Sequence, residues 1–410
     1  MISPRTSPLL AGPDGRTLLA VSVLARLPLA MLSIAILVHV QRLTGSFGGA
    51  GIACSAYAIC GALASPMLGR LVDRRGQTLV LVAGAVVSAV ALIAIGLLGA
   101  NAPAAVLVAL AGISGLATPP VGACVRTLLP VIVSGSAELP ALFALESTLL
   151  EVTFVLGPPL ALGLGAIWST GAALVACGVI MVGGTVAFAT RRASRNWRSD
   201  AVAPRSRAGS LRAVAIRVLV IVDLGTGGVF GATEVGVTAS AKHLAGAAAA
   251  APVLGLWGLG SLAGGLIVTR LGTRVDNARY LSLLLGALAA THGALLLGTG
   301  SLPVMSAIIV LAGATIAPTG ACIYAMVDRA APAGTETEAF SWLFTSSSTG
   351  AAAGAAIAGI LAQSAGAGAV FAFGGVAGVL TTLVAVLGAR HLGPTAPQRP
   401  VVVSGAPAVV

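Results

Sequence analysis

Twelve long apolar stretches, separated by short polar breaks, constrain this chain more than any other feature of its sequence. A helix needs about 20 mainly apolar residues to cross a bilayer. The stretches do not alternate apolar and polar residues as the strands of a membrane β-barrel do. The sequence therefore predicts an all-α polytopic membrane protein with twelve transmembrane helices, which we number spans 1 to 12. They are predicted near residues 17–40, 48–71, 78–99, 103–126, 140–167, 169–190, 214–238, 246–269, 280–299, 302–327, 339–363 and 367–389.

The composition argues against a water-soluble protein. Of the 410 residues, 57% are hydrophobic and only 9% are charged, whereas a soluble domain has roughly a quarter of its residues charged. The formal net charge is +11. In a soluble protein this excess would indicate a nucleic-acid partner, but in a membrane protein it carries information about orientation. We therefore expect the lipid bilayer as a partner and no nucleic acid.

The basic residues fall almost entirely on one side of the predicted bundle. If the N-terminus is cytoplasmic, 20 basic residues, Arg126 among them, flank the spans on the cytoplasmic side. Only Arg42 and Lys242 then lie outside, and Arg26 lies within span 1. Because basic residues are retained on the cytoplasmic side, the bias predicts a multi-pass protein of the cell's inner membrane with both termini in the cytoplasm.

The chain is predicted to contain two related halves. The segment Pro120-Val-Gly-Ala-Cys124 recurs as Pro318-Thr-Gly-Ala-Cys322, 198 residues later, and other landmarks repeat at offsets of 196 and 197. A constant offset indicates a tandem duplication, and transporters place their sites between such repeats. The predicted parts are a cytoplasmic tail (1–16), a six-helix bundle (17–190), a basic cytoplasmic linker (191–213), a second six-helix bundle (214–390) and a disordered cytoplasmic tail (391–410).

The segment GRLVDRRGQ (69–77) connects spans 2 and 3. It resembles the loop motif of the major facilitator superfamily, and TPPVGACVRTLLP (118–130) and TETEAFSWLF (335–344) resemble segments of its actinobacterial members. The resemblance implies the twelve-helix fold of that family, transport by alternating access, and a gate that closes the cytoplasmic side. The gate residues would be Gly69, Asp73, Arg74, Arg75 and Gly76. The alternative is a solvated loop whose arginines only set the orientation.

Five charged residues lie within the predicted spans: Arg26, Glu146, Glu151, Asp223 and Glu234. A buried charge without a partner is costly in a membrane, so these residues are candidates for function. We expect Arg26 to neutralise one or more of Glu151, Glu146 and Asp223, in a pairing that changes with conformational state and allows a carboxylate to carry a proton. Glu151 is the better candidate for this role, while Glu234 can reach interfacial water. The alternative is a static ion pair that fixes helix packing.

Gly157-Pro158-Pro159 lies in span 5 and predicts a kink there, because proline removes helix hydrogen bonds. This kink resembles the Gly-Pro centre of the antiporter motif in exporters of the family. Four positions depart from that motif, which has glycine where this chain has Ala144, Thr153, Ala161 and Leu162. The partial match favours export over import; the alternative is an ordinary membrane-helix kink.

No motif of an enzyme is present: the sequence contains no HExxH, GxSxG, GxGxxG or GK[ST]. We expect no catalytic residues, no cofactor and no metal, and the five cysteines are predicted to be small buried residues. The sequence thus predicts a monomeric secondary transporter that couples protons to the export of a small-molecule substrate, an amphipathic drug or metabolite. The alternatives are a proton-coupled uptake permease and, from another class, a membrane sensor or enzyme.

Overall fold

The computed structural model of the protein describes residues 13–99, 101–132, 139–199, 209–246, 249–271 and 277–393. Helices make up nearly all of this part of the chain, and no strand occurs in these ranges. Eleven helical segments are long and apolar enough to cross a membrane. A twelfth helix, Glu336–Ser364, has 29 residues and is rich in Ser, Thr and Gly. The predicted all-α fold of twelve spans is confirmed.

The helix bounds follow the predicted spans, with several helices longer than their apolar stretches. Span 7 continues to Ala245, past the predicted end at residue 238, and ends at Gly246, whose φ is 90°. Such a φ favours glycine and ends the helix independently of hydrophobicity. The spans are Pro13–Thr44, Phe47–Arg75, Gln77–Leu97, Ala104–Ala117 with Val121–Ile132, Leu139–Ile167, Thr170–Ala189, Val214–Ala245, Ala250–Leu271, Ala278–Ala294, Leu302–Gly313 with Ile316–Ala330, Glu336–Ser364 and Gly366–Leu387.

Spans 4 and 10 are each interrupted near the repeated segments that begin at Pro120 and Pro318. In span 4 the break covers residues 118–120 and includes Pro119 and Pro120, which have no N–H to continue the helix. In span 10 the break lies at Ala314 and Thr315, and Pro318 lies in the first turn of the helix that follows. A proline is tolerated there because the first N–H groups of a helix have no intrahelical partner.

Spans 7 and 11 pack closely through small residues. A Cβ atom added at Gly227, Gly231, Gly350 or Gly354 would clash with a backbone carbonyl oxygen of the opposite helix. Close backbone approach through small residues is a common way for helices to associate in a membrane. The Gly-rich segment 346–359 is therefore a packing surface.

One end of the bundle, which we call the basic end, carries the turn between spans 2 and 3, the linker, and the ends of spans 10 and 12. The turn is a single residue, Gly76 (φ 85°). The start of the linker forms a short helix, Arg192–Asn196, followed by the buried Trp197. Ser194 donates a hydrogen bond of 2.8 Å to Gln77 Oε1, which fixes this helix on span 3. The predicted disorder of the C-terminal tail concerns residues that lie outside the described ranges beyond Gly393.

Candidate functional site

A cluster of buried charges lies in the interior of the bundle. Arg26 of span 1 donates from Nη1 to Glu146 Oε1 of span 5 at 2.5 Å. Arg126 of span 4 donates from Nε to Glu146 Oε2 at 3.2 Å. The side chains of Arg26, Arg126 and Glu146 are 2%, 8% and 0% exposed. Both oxygens of this carboxylate therefore accept from a guanidinium group.

The sequence prediction for Arg126 was wrong. We expected it to flank the membrane on the cytoplasmic side, but it lies in the middle of the helix Val121–Ile132 and is buried. Its ion pair with Glu146 lowers the free-energy cost of burying the guanidinium group. Two arginines facing one glutamate give these three side chains a formal net charge of +1.

Arg126 also contacts the second half of the chain. Its guanidinium carbon lies 3.7 Å from the centroid of the Tyr324 ring in span 10, a cation–π arrangement. Tyr324 stands 198 residues after Arg126, the same offset that relates Pro120 to Pro318. The duplication therefore makes Arg126 and Tyr324 equivalent positions, and they meet where the two halves face each other. This offset, which relates Arg126 to an aromatic residue within span 10, is the sequence signal that could have identified Arg126 as an interior residue.

Asp223 of span 7 lies near this cluster, within range of a Coulombic interaction with Arg126. It is half-buried and accepts a hydrogen bond of 3.0 Å from the Ser346 hydroxyl of span 11. Arg26 and Asp223 are also related by the duplication, 197 residues apart. Arg26 thus makes an ion pair in the first half, whereas Asp223 is bonded to a neutral group in the second.

The other two carboxylates in the spans stand apart from the ion pairs. Glu151 is half-buried in span 5 and lies near Ser261 of span 8. Glu234 of span 7 is exposed. Neither makes an ion pair with a described arginine. Of the three carboxylates considered for Arg26, the structure pairs it with Glu146.

In span 5 the helix runs without interruption through Pro158 and Pro159. Gly157 packs against span 1, where an added Cβ atom would come within 2.6 Å of the Ala30 Cβ. The glycine in this sequence thus lets spans 1 and 5 approach each other. This contact lies between the two helices that carry Arg26 and Glu146.

At the basic end, Asp73 binds the start of span 11. Its Oδ1 accepts from the Thr337 backbone N–H at 3.0 Å, and its Oδ2 accepts from the Glu338 N–H at 2.9 Å. These N–H groups belong to the first turn of the helix Glu336–Ser364, which has no intrahelical acceptor for them. A carboxylate from the first half thus caps a helix of the second half, where the helix dipole also favours a negative charge.

Arg70 adds a second link between the halves at this end. Its Nε and Nη2 donate to both oxygens of Glu338, at 3.0 and 2.8 Å. The linker takes part as well, since the Ser210 N–H donates to Glu338 Oε1 at 3.3 Å and Ser199 donates to Glu336 Oε2 at 2.8 Å. We call this group the latch, defined by Arg70, Asp73, Thr337 and Glu338. Neither Arg70 nor the two glutamates was singled out in the sequence.

The other motif residues have different places. Arg74 and Arg75 are exposed and make no described bond to span 11. Gly69 allows close approach, because an added Cβ atom would lie 2.8 Å from the Thr337 carbonyl oxygen. Gly76 has a φ that favours glycine, and a Cβ atom there would lie 2.8 Å from Arg198 Nη1 of the linker. Of the five residues expected to form the gate, Asp73 bonds to span 11, and Gly69 and Gly76 permit close approach.

Comparison with known proteins agrees with this architecture. The chain is similar to the human organic anion transporter MFSD10 (TETRAN), at 18% identity and a TM-score of 0.72, covering 91% of this chain and 100% of that one. It is also similar to a bacterial homologue of the iron transporter ferroportin in an outward-facing state, at 16% identity and a TM-score of 0.73, covering 92% and 99%. At these identities the likeness concerns the fold. No curated protein sequence gives a significant match.

The family is shown by a direct match to the sequence. The family model described as Major Facilitator Superfamily matches residues 18–335. This range runs from span 1 to the end of span 10 and includes the buried charge cluster and the motif at the turn after span 2. The family and the similar structures identify a multi-pass membrane transporter for small molecules rather than an enzyme. The chain belongs to the major facilitator superfamily.

Proposed function

We propose that the protein is a proton-coupled exporter of a small amphipathic compound and works by alternating access. One observation carries this proposal: the two halves meet at a buried group of charged and aromatic side chains, and a latch joins them at the basic end. Arg126 and Tyr324 form the contact in the interior. Asp73 and Arg70 form it at the basic end.

The latch consists of bonds that can be exchanged for bonds to water. Arg70 is 37% exposed at its side chain, so its separation from Glu338 would solvate both groups. Glu338 is only 1% exposed in the closed pair, so opening would hydrate its carboxylate, and bonds to water would replace the bonds to Arg70. With the basic end in the cytoplasm, as the positive-inside rule predicts, the closed latch corresponds to an outward-facing state in the inner membrane.

We propose Asp223 and Glu151 as the residues that exchange protons. Glu146 holds two guanidinium groups, so a proton could reach it only after an ion pair breaks. Asp223 accepts from a neutral hydroxyl, and Glu151 has no arginine partner among the described residues. A half-buried carboxylate without an ion pair is readily neutralised by a proton, because burial disfavours its charged form. Asp223 also lies within range of a Coulombic interaction with Arg126 of the first half, so its charge can influence how the halves pack.

The charge of the cluster favours a substrate with an anionic group. Arg26 and Arg126 outnumber Glu146, which leaves a formal charge of +1 on these three side chains that can attract an anionic group. The apolar residues of the spans would receive the rest of an amphipathic molecule. The fold shared with an organic anion transporter is consistent with this substrate class. Export rather than uptake is supported by the Gly-Pro sequence of span 5, and uptake is the second candidate.

The experiment is flux in proteoliposomes that contain the purified protein as a monomer, with an imposed pH gradient. Amphipathic carboxylates that raise its melting temperature would serve as labelled substrates. We expect the compound to move in the direction opposite to that of the protons. Flux in the direction of the protons would indicate uptake, and no gradient-dependent flux of a compound that binds would contradict coupled transport and favour a sensor.

A matched pair of variants on one helix tests the assignment of the proton site. Asp223→Asn removes the half-buried carboxylate, whereas Glu234→Gln removes an exposed one on the same span. We expect Asp223→Asn to abolish the dependence of flux on the pH gradient while exchange of substrate between the two sides continues. Glu234→Gln should behave as the unmodified protein. Equal effects of the two substitutions would contradict the assignment.

A further inference from the structure

Both described parts of the linker contact the start of span 11, where the latch is closed. The first part, residues 191–199, is fixed to the first half of the chain, where Ser194 donates to Gln77 of span 3 at 2.8 Å. From there it reaches the second half, because the Ser199 hydroxyl donates to Glu336 Oε2 at 2.8 Å. This part of the linker therefore bridges the two halves at the basic end.

The second part of the linker lies directly on the ion pair of the latch. The turn Gly209–Arg212 leads towards span 7 of the second half, and the Ser210 N–H donates to Glu338 Oε1 at 3.3 Å. A Cβ atom added at Gly209 would overlap Glu338 Oε1 and lie 2.5 Å from Arg70 Nη2. The φ of Gly209 is 57°, a conformation that favours glycine. Glycine therefore permits both the turn and the approach of the backbone to the ion pair.

The turn also shields the ion pair from water. Gly209 and Ser210 are buried, and the side chain of Glu338 is 1% exposed. A buried carboxylate is costly unless it accepts hydrogen bonds, and the Ser210 N–H supplies one in addition to those of Arg70. Exclusion of water also strengthens the attraction between the two charges. The linker thus stabilises the closed latch in two ways, as a hydrogen-bond donor and as a cover.

We propose that the linker is a strap, formed by residues 191–199 and 209–212, that holds the basic end closed and must detach before the two halves separate there. Each part of the strap continues from one half and contacts the other, since the first part reaches Glu336 and the second reaches Arg70. Separation of spans 2 and 11 would therefore pull on both contacts. This role of the strap rests on the proposed function, in which the basic end opens in every cycle, and Gly209 is the residue that positions the strap.

Gly209→Ala tests the strap without changing a charged residue. Alanine at this φ is strained, and its Cβ atom would displace the ends of Arg70 and Glu338. We expect the ratio of closed to open molecules to fall roughly tenfold, which corresponds to the cost of the left-handed conformation for a residue with a Cβ atom. Spin labels at the exposed Arg74 and Arg270, in the full-length protein without native cysteines, would measure the separation of the two halves.

The matched control is Gly246→Ala, at the other end of span 7. Gly246 also has a positive φ, 90°, but a Cβ atom added there has no described neighbour within 4 Å. This variant should show the distance distribution of the unmodified protein. A second measurement leaves the linker unchanged. Because coupling between two contacts is reciprocal, weakening the latch by Asp73→Asn should speed hydrogen exchange at the Ser210 amide, again roughly tenfold.

Opening in Gly209→Ala but not in Gly246→Ala supports the strap. Faster exchange at the Ser210 amide in Asp73→Asn supports it independently of how the alanine variant folds. If Asp73→Asn opens the basic end while Gly209→Ala does not, or while the Ser210 amide stays protected, the strap is wrong and the latch alone closes this end. Equal opening by the two alanine variants would also overturn it, because backbone strain rather than contact with the latch would be the cause. If none of the variants opens the basic end, the strap is overturned together with the closed latch of the proposed function.

Discussion

The latch can be tested by neutralising Asp73, which accepts two backbone N–H groups at the start of span 11. Asp73→Asn keeps one acceptor oxygen and removes the negative charge. Hydrogen bonds to a charged group contribute roughly 1.5–3 kcal/mol and neutral ones about 1 kcal/mol. The loss of charge at the helix N-terminus removes a further 0.3–1 kcal/mol or so. After allowance for partial solvent exposure, we expect the closed state to lose about 2 kcal/mol.

A loss of this size would change the ratio of closed to open molecules roughly 30-fold. Spin labels at Arg74 and Arg270, two exposed arginines at the basic ends of spans 2 and 8, would report the separation of the halves in a background without native cysteines. We expect a larger population at long distance in Asp73→Asn. Hydrogen exchange at the Thr337 and Glu338 amides should also become faster, because asparagine offers only one acceptor oxygen to the two N–H groups.

The control for this experiment is Arg75→Gln, which changes a charge in the same turn without removing a described bond to span 11. Its distance distribution should match that of the unmodified protein. If Asp73→Asn changes neither the distances nor the exchange of the two amides, the reasoning is refuted, because the carboxylate would then not hold the ends together.

Three further predictions follow from the packing. Glu146→Gln leaves two arginines without their carboxylate and should lower the free energy of unfolding by about 3–5 kcal/mol, which is measured as a lower melting temperature. An unchanged melting temperature would show that water already solvates the cluster. Gly350→Leu should prevent correct folding, because span 11 lies against the Leu224 carbonyl at that position; a normal monodisperse elution profile would contradict this. Ser194→Ala removes the bond to Gln77 and should increase proteolysis of the linker, while the free energy of unfolding falls by only about 1 kcal/mol.

Much of the fold could be predicted from the sequence because its physical causes are local. A span requires a long apolar stretch, and the turn after span 2 requires glycine at Gly76, so both are visible along the chain. The break in span 4 follows from Pro119 and Pro120. The duplicated landmarks identify the two halves. The position of the break in span 10 could not be predicted from its proline in the same way. The break precedes Pro318, which is accepted within the first turn of the helix that follows.

The candidate site could be predicted only in part because its bonds join distant segments. The sequence left three possible carboxylate partners for Arg26. The packing of spans 1 and 5 brings Glu146 into contact with it. Arg126 was misplaced because a count of basic residues near the ends of apolar stretches does not distinguish a flanking arginine from a buried one. Glu338 was missed because the positive-inside rule gives little information about acidic residues, and its partner Arg70 is 268 residues away.

The contact between Arg126 and Tyr324 bears on how the two halves diverged after duplication. In an assembly of two identical halves, equivalent positions on the symmetry axis would carry the same residue, and two arginines stacked there would repel each other. The favourable contact of an arginine with a tyrosine ring can form at two equivalent positions only when the two copies differ in sequence. If the halves arose by duplication, as the constant offset predicts, their fusion into one chain would have allowed each to mutate separately, so that an attractive contact could replace a symmetric one at the centre of the protein.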